Sequence, residues 1–100
     1  MAFNIKGYQR GNMIGVHPTT GVPLYSHTYA TPDAETAPTG ANYFDALAQQ
    51  GLVKKGEWIT ATVVIDGTPL WRTYMITAVT NSGLPTGTCT VAEVTGAGLT

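Results

Sequence analysis

The stretch that decides the fold is Glu57–Ile65, which reads Glu-Trp-Ile-Thr-Ala-Thr-Val-Val-Ile and predicts a β-strand. It is rich in the β-branched residues that favour strands, and it ends at Asp66-Gly67, a dipeptide typical of hairpin turns. Successive side chains of a strand point to opposite faces. One predicted face is apolar and the other is not, the two sets being Ile59, Ala61, Val63, Ile65 and Trp58, Thr60, Thr62.

Two further strands are predicted downstream of this one. Leu70–Val79 alternates between two faces, and Thr88–Val94 follows after a turn at Asn81-Ser-Gly83. Consecutive strands joined by short turns pair in the antiparallel sense. The sequence therefore predicts a mainly β fold, a small antiparallel β-meander or open barrel with one short helix.

The short helix is predicted at about residues 42–50. Asn42 is a suitable N-cap, because its side-chain oxygen can accept from a free backbone N–H of the first turn. Asp45 adds favourable charge at the helix start, and Gly51 is the expected C′ stop. A helix this short is unstable alone, so we expect it to pack on another element.

Residues 1–40 predict an extended N-terminal arm. Glycines and prolines interrupt any regular element there, and only Met13–His17 and Leu24–Tyr29 look like short extended pieces. Residues 30–41 are small residues and helix breakers, a composition typical of a linker. The predicted organisation is an extended arm with a Pro/Thr linker at 1–40, a small β-rich domain at 41–95 and a flexible tail at 96–100.

The composition argues against two classes of partner. The chain has 100 residues, of which 11% are charged and seventeen are threonine, with a net charge of −1. Its sequence pI is near 6.0, whereas nucleic-acid-binding domains typically show a basic patch and a pI above ~9. Binding to anionic membranes likewise relies on basic clusters. We therefore expect neither a nucleic acid nor a membrane as partner.

The compartment is predicted from features that the sequence lacks. The first ten residues lack the apolar stretch of a signal peptide, and no window approaches a membrane span. The single cysteine, Cys89, cannot form an internal disulfide. We therefore expect synthesis in a reducing cytoplasm.

The residues that usually carry catalysis are few. His17 and His27 lie in the predicted arm, and with Cys89 they do not match the spacing of a zinc site. Glu57 and Glu93 can face one another across the sheet, but a glycosidase pair also needs a cleft. We therefore expect no catalytic residues, no metal and no cofactor.

The aromatic residues predict association. A body of roughly fifty residues without a disulfide or metal is marginally stable, so we expect an oligomer or a docked subunit. The residues predicted for packing or an interface are Tyr43, Phe44, Trp58, Trp71 and Tyr74. Those predicted to dock the arm are Phe3, Ile5, Tyr8 and Tyr25. Trp58 and Trp71, with Arg72 and Tyr74, can alternatively form a stacking surface for sugars or bases.

Several short motifs carry a family resemblance. They are Ala41-Asn-Tyr-Phe-Asp-Ala-Leu, Leu52-Val-Lys-Lys-Gly-Glu-Trp-Ile, Val64-Ile-Asp-Gly-Thr, Tyr74-Met-Ile-Thr-Ala-Val and Thr90-Val-Ala. This series, over about residues 41–92, resembles a recurring pattern in small tailed-phage proteins, the capsid decoration or head-fibre proteins. The chain departs from that pattern at Asn42, often Gly in the family, and at Glu57, often Asp. Residues 1–30 carry no part of the resemblance.

The resemblance implies a non-enzymatic virion protein on the capsid surface, made in the bacterial host cytoplasm. Its expected partners are the major capsid protein and further copies of itself, with a homotrimer favoured. The arm would contact the capsid or neighbouring subunits, and the body would form the trimer. Two alternatives remain at this point: a phage tail or neck component, and a small carbohydrate-binding module that uses exposed tryptophans.

Overall fold

The predicted meander forms the middle of a mixed β-sheet in a computed structural model that describes residues 3–34, 36–40, 42–95 and 98–99. The strands lie in the sheet in the same order as in the chain. One short helix, α1, precedes the third strand, and a single 3-10 turn at Ile5–Gly7 precedes the first. The elements are β1 Tyr8–Val16, β2 Pro23–Ala30, α1 Asp45–Gln49, β3 Trp58–Val63, β4 Leu70–Thr80, β5 Thr88–Thr95 and β6 Gly98–Leu99.

The mainly β class is confirmed. Strands β3, β4 and β5 pair antiparallel, as predicted for a meander. The sheet stays open and does not close into a barrel: β1 and the β5–β6 pair lie at opposite ends of the strand order. It is mixed because β2 pairs with β3 in the parallel sense, and residues 31–57 make the crossover between them. The helix lies on that crossover, as parallel connections usually require.

The first half of the chain differs from the predicted arm. It is extended, but Tyr8–Val16 and Pro23–Ala30 form an antiparallel hairpin that belongs to the sheet. The sequence hides these strands because the inward positions of β2 are Tyr25, His27 and Tyr29, which do not form an aliphatic stripe. Of the tail predicted at 96–100, residues 98–99 form β6 and the rest lies outside the described residues.

The core lies between the inner sheet face and the crossover. Ile59, Ala61 and Val63 are buried, which confirms the predicted apolar face of β3. Leu47 of α1 and Val53 pack against the same core. Ile65 differs from the prediction and is exposed, because the strand ends at Val63 and Val64 takes a positive φ of 54° that turns the chain away.

The helix ends as predicted but begins later. Gly51 has φ 71°, and the N–H groups of Gly51 and Leu52 donate to the carbonyls of Ala48 and Leu47, a Schellman motif. Asn42 is not the N-cap: it has φ 68° in the turn before the helix, and Phe44 takes the cap position without a side-chain hydrogen bond. No helix within the described part of the chain is long and apolar enough to cross a membrane.

Candidate functional site

A network of buried hydrogen bonds joins β1, β2 and Glu57, the residue before β3. The His27 and Glu57 side chains are both 0% exposed, and Nε2 of His27 lies 2.7 Å from Oε1 of Glu57. On the other side of the imidazole, Nδ1 lies 2.6 Å from the Tyr8 hydroxyl. The N–H groups of Tyr25 and Lys54 donate to the same carboxylate at 2.8 and 2.9 Å. Every polar side-chain group in this network therefore has a hydrogen-bond partner within the protein.

These contacts set the ionisation of Glu57 and Tyr8. Burial alone raises the pKa of Glu57, but the hydrogen bonds from His27, Tyr25 and Lys54 outweigh it and hold the pKa below the usual 4.5. Burial raises the pKa of Tyr8 to about 12. Glu57 is therefore an ionised acceptor and Tyr8 a neutral hydroxyl at neutral pH, and the hydrogen bonds between them and His27 join three strands.

The fold should lose stability in acid because of Glu57. A carboxyl whose pKa is lower in the folded than in the unfolded chain stabilises the fold fully above the unfolded value, and this contribution is lost as pH falls through the folded value. We expect the free energy of unfolding, measured with urea, to fall as pH drops below about 4.5. In Glu57→Gln this segment of the pH profile should be flatter. An equally steep profile in both proteins would contradict the assignment.

A second network of buried hydrogen bonds links the crossover to β2. The Asn4 N–H donates to the Tyr29 hydroxyl at 3.1 Å, which lies 2.9 Å from that of Tyr43. Tyr43 in turn donates to Oδ2 of Asp33 at 2.5 Å. Burial and these hydrogen bonds raise the pKa of Tyr43 far above its usual range. The members of this second network therefore also hydrogen-bond to one another within the protein.

The predicted interface residues separate into two groups. Tyr43, Phe44 and Tyr74 are buried in the core of the chain itself. Trp58 is half-buried and Trp71 is 67% exposed, and both lie on the outer sheet face, away from the helix. Only these two tryptophans are placed to meet a partner.

The residues predicted to dock the arm are mostly engaged within the chain. The ring of Phe3 stacks on Tyr29 with centroids 5.1 Å apart, and Tyr8 contacts His27. The Arg10 guanidinium covers the Tyr25 ring at 3.7 Å from its centroid. Ile5 alone of the four is well exposed, at 44%.

The remaining candidate residues, Glu93, Cys89 and Asp45, are each held by contacts within the fold. Glu93 is 3.7 Å from Arg72 and does not face Glu57. Cys89 is buried, and burial together with the charges of Asp45 and Glu57 raises its pKa to about 12, which makes the thiol a poor nucleophile. Asp45 lies in the first turn of α1, where its charge was predicted to be favourable, and it accepts from the Cys89 N–H at 3.0 Å. No cluster of three or more His, Cys, Asp or Glu suited to a metal occurs among the described residues.

Two surface features were missed by the sequence analysis. The first is the free edge of β1, which pairs with β2 on one side and with no other described strand. Met13 and Val16 on this strand are 55% and 51% exposed, and residues 11–24 contain no Asp, Glu, Lys or Arg. A search for uncharged runs along the sequence would have found it.

The second feature is a groove on the outer sheet face. It has a volume of about 400 Å³ and lies between Trp71 of β4 and the turn that enters β1. Its floor is formed by neighbouring residues of β2 and β3, with Thr28 paired to Thr60 and Ala30 to Thr62. Gln9 and Lys6 border it on the β1 side. Of the lining residues, Trp71 and Tyr8 were candidates from sequence, and Tyr8 was predicted to dock the arm.

No family model, no curated protein and no solved structure matches the chain. The two surface features, the free edge of β1 and the groove at Trp71, are therefore interpreted from their own geometry and chemistry.

Proposed function

We propose that the chain is a structural virion protein that decorates and stabilises a bacteriophage capsid, binding the major capsid protein lattice without catalysis. The resemblance over residues 41–92 supports the virion assignment. The structural observation that supports it is the free edge of β1, in a hairpin with no charged side chain over residues 11–24.

The edge of β1 carries few of the charges with which soluble proteins protect such strands. An exposed edge presents unpaired N–H and C=O groups, and natural proteins block it with charged side chains, proline or bulges. Strand β1 has register irregularities between Arg10 and Met13 and between Met13 and Gly15, which bend it. Beyond Arg10, however, its exposed side chains are neutral, and Met13 and Val16 are apolar. Such a surface suits lasting burial against another protein.

The same neutrality suits close packing of many copies. Identical subunits in a shell bring identical surfaces near one another, and like charges there would repel. With 11% charged residues, this chain has little such repulsion. We expect a homotrimer, which light scattering would report as three times the 10.5 kDa chain mass. A monomer at micromolar concentration would contradict this part of the proposal.

The copy number in purified particles tests the proposal directly. Quantitative mass spectrometry of the phage that encodes the chain should find it at a stoichiometry comparable to that of the major capsid protein. A few copies per particle would indicate the tail or neck alternative. Presence in infected-cell lysate alone would overturn a virion role.

Charges placed on the β1 edge should release the protein from particles. Met13 and Val16 are exposed, so the double substitution Met13→Lys, Val16→Lys changes stability little but adds unpaired charge to the proposed contact. We expect particle occupancy to fall about tenfold or more, since burying an uncompensated charge costs several kcal/mol. The control is Leu84→Lys, at a 52% exposed position between β4 and β5. Equal occupancy of the two variants would rule out the β1 edge as the contact.

A further inference from the structure

The groove at Trp71 has the size of a small-molecule site and lies apart from the proposed capsid contact. Its volume of about 400 Å³ falls within the roughly 300–1,000 Å³ typical of ligand pockets. It lies beside the beginning of β1, at Lys6–Gln9, whereas Met13 and Val16 lie toward the other end of that strand. A ligand in the groove and a protein on the distal edge therefore use different parts of the surface.

The polar groups of the groove have unused hydrogen-bonding capacity. The side chains of Gln9, Thr60 and Thr62 line it and form no hydrogen bond to any other described residue. Each threonine hydroxyl can donate once and accept twice, and the glutamine amide can do both. Hydroxyls and an amide without fixed partners suit a ligand that also carries groups able to donate and to accept.

Trp71 supplies a stacking surface beside these groups. It pairs with Thr62 across β3 and β4, so the indole and the hydroxyl lie side by side on the same face. Its 67% exposure leaves a large aromatic surface free to cover the apolar face of a ring. A pyranose combines such a C–H face with hydroxyl groups at its rim.

The charge of the groove distinguishes between anionic and neutral ligands that contain a ring. Among the described residues that line the groove, Lys6 is the only charged one. Nucleotides and sulfated or phosphorylated sugars are typically bound by several basic side chains. A neutral sugar needs none, and its hydroxyls match the threonine and glutamine groups.

We propose that this groove binds a neutral saccharide, with a sugar ring stacked on Trp71 and hydroxyl groups hydrogen-bonded to Gln9, Thr60 and Thr62. This site is independent of the capsid role and requires only the sheet and the turn that enters β1. Aromatic stacking of a ring contributes about 1–3 kcal/mol in comparable sites for bases, so the loss of Trp71 should be readily measured.

The test is an array of neutral, unsulfated oligosaccharides probed with the purified full-length chain, followed by calorimetric titration of the best ligand. Trp71→Ala should weaken binding by roughly 5- to 150-fold, and Thr62→Val should weaken it by a smaller factor. Circular dichroism should show that both variants stay folded, since both positions are exposed.

Trp58→Phe is the matched control, because Trp58 lies on the same outer face but does not line the groove. It should bind as the unsubstituted chain does. An array without signal would overturn the proposal, as would binding that survives Trp71→Ala or is lost equally in Trp58→Phe. Binding confined to anionic sugars or nucleotides would also overturn it. None of these outcomes bears on the particle copy number, so the capsid role stands or falls separately.

Discussion

Glu57→Ala is expected to lower the free energy of unfolding by about 3 kcal/mol or more, since each buried donor left without its acceptor costs about 1–3 kcal/mol. The carboxylate accepts from Nε2 of His27 and from the N–H groups of Tyr25 and Lys54. Alanine leaves these three donors buried without an acceptor, and water cannot replace it at a position that is 0% exposed. Urea unfolding followed by circular dichroism measures the change.

The control for this substitution is Asp66→Ala, which removes an exposed carboxylate in the turn between β3 and β4. Surface substitutions usually change stability by no more than about 0.5 kcal/mol, so the control should change the free energy of unfolding by about that amount or less. Equal effects of the two substitutions would mean that the Glu57 cluster contributes no more than an exposed carboxylate does.

Phe44→Ala is expected to cost about 3–5 kcal/mol, the usual range for removing a buried phenylalanine. Its ring is 1% exposed and lies 4.9 Å from the Tyr43 ring, 5.6 Å from Tyr29 and 5.5 Å from Phe3, centroid to centroid. The substitution leaves a cavity between the turn before α1, strand β2 and the ring of Phe3. Thermal unfolding and urea titration should both report the loss.

The control for Phe44 is Ile5→Ala, another apolar truncation in the same region. Ile5 is 44% exposed, so its truncation should change stability by less than about 0.5 kcal/mol. If Phe44→Ala left stability unchanged but reduced the oligomer, the side chain would act in an interface and its burial within the chain would be of little consequence. A large loss of stability in the unassembled chain supports the packing role.

The structure of the second half of the chain could be predicted from local sequence patterns. Alternation in Glu57–Ile65 marks Ile59, Ala61 and Val63 as inward, because successive side chains of a strand point to opposite faces and the apolar set faces the core. The stop at Gly51 follows from the conformational freedom of glycine at positive φ. These signals need no information about distant residues.

The first half depends on distant partners, which local patterns do not show. His27 can be an inward residue of β2 only because Glu57, beyond the crossover, accepts a hydrogen bond from its imidazole. Asn42 looks like a helix cap, yet its positive φ serves the turn before the helix. For the same reason the groove was not predicted as a unit: Trp71 is conspicuous, but Gln9 and Thr28 reach it only when the hairpin joins the sheet.

The parallel pairing of β2 with β3 has a consequence for the order of folding. Hairpin β1–β2 and the meander β3–β5 each close locally, whereas β2 and β3 meet only after residues 31–57 have been arranged. Contacts between distant residues slow folding because loop closure costs entropy before any contact compensates for it. During synthesis the β1–β2 hairpin leaves the ribosome before β3 and remains without this neighbouring strand until Trp58–Val63 has emerged. A nascent chain halted before that point should therefore show the strongest dependence on chaperones.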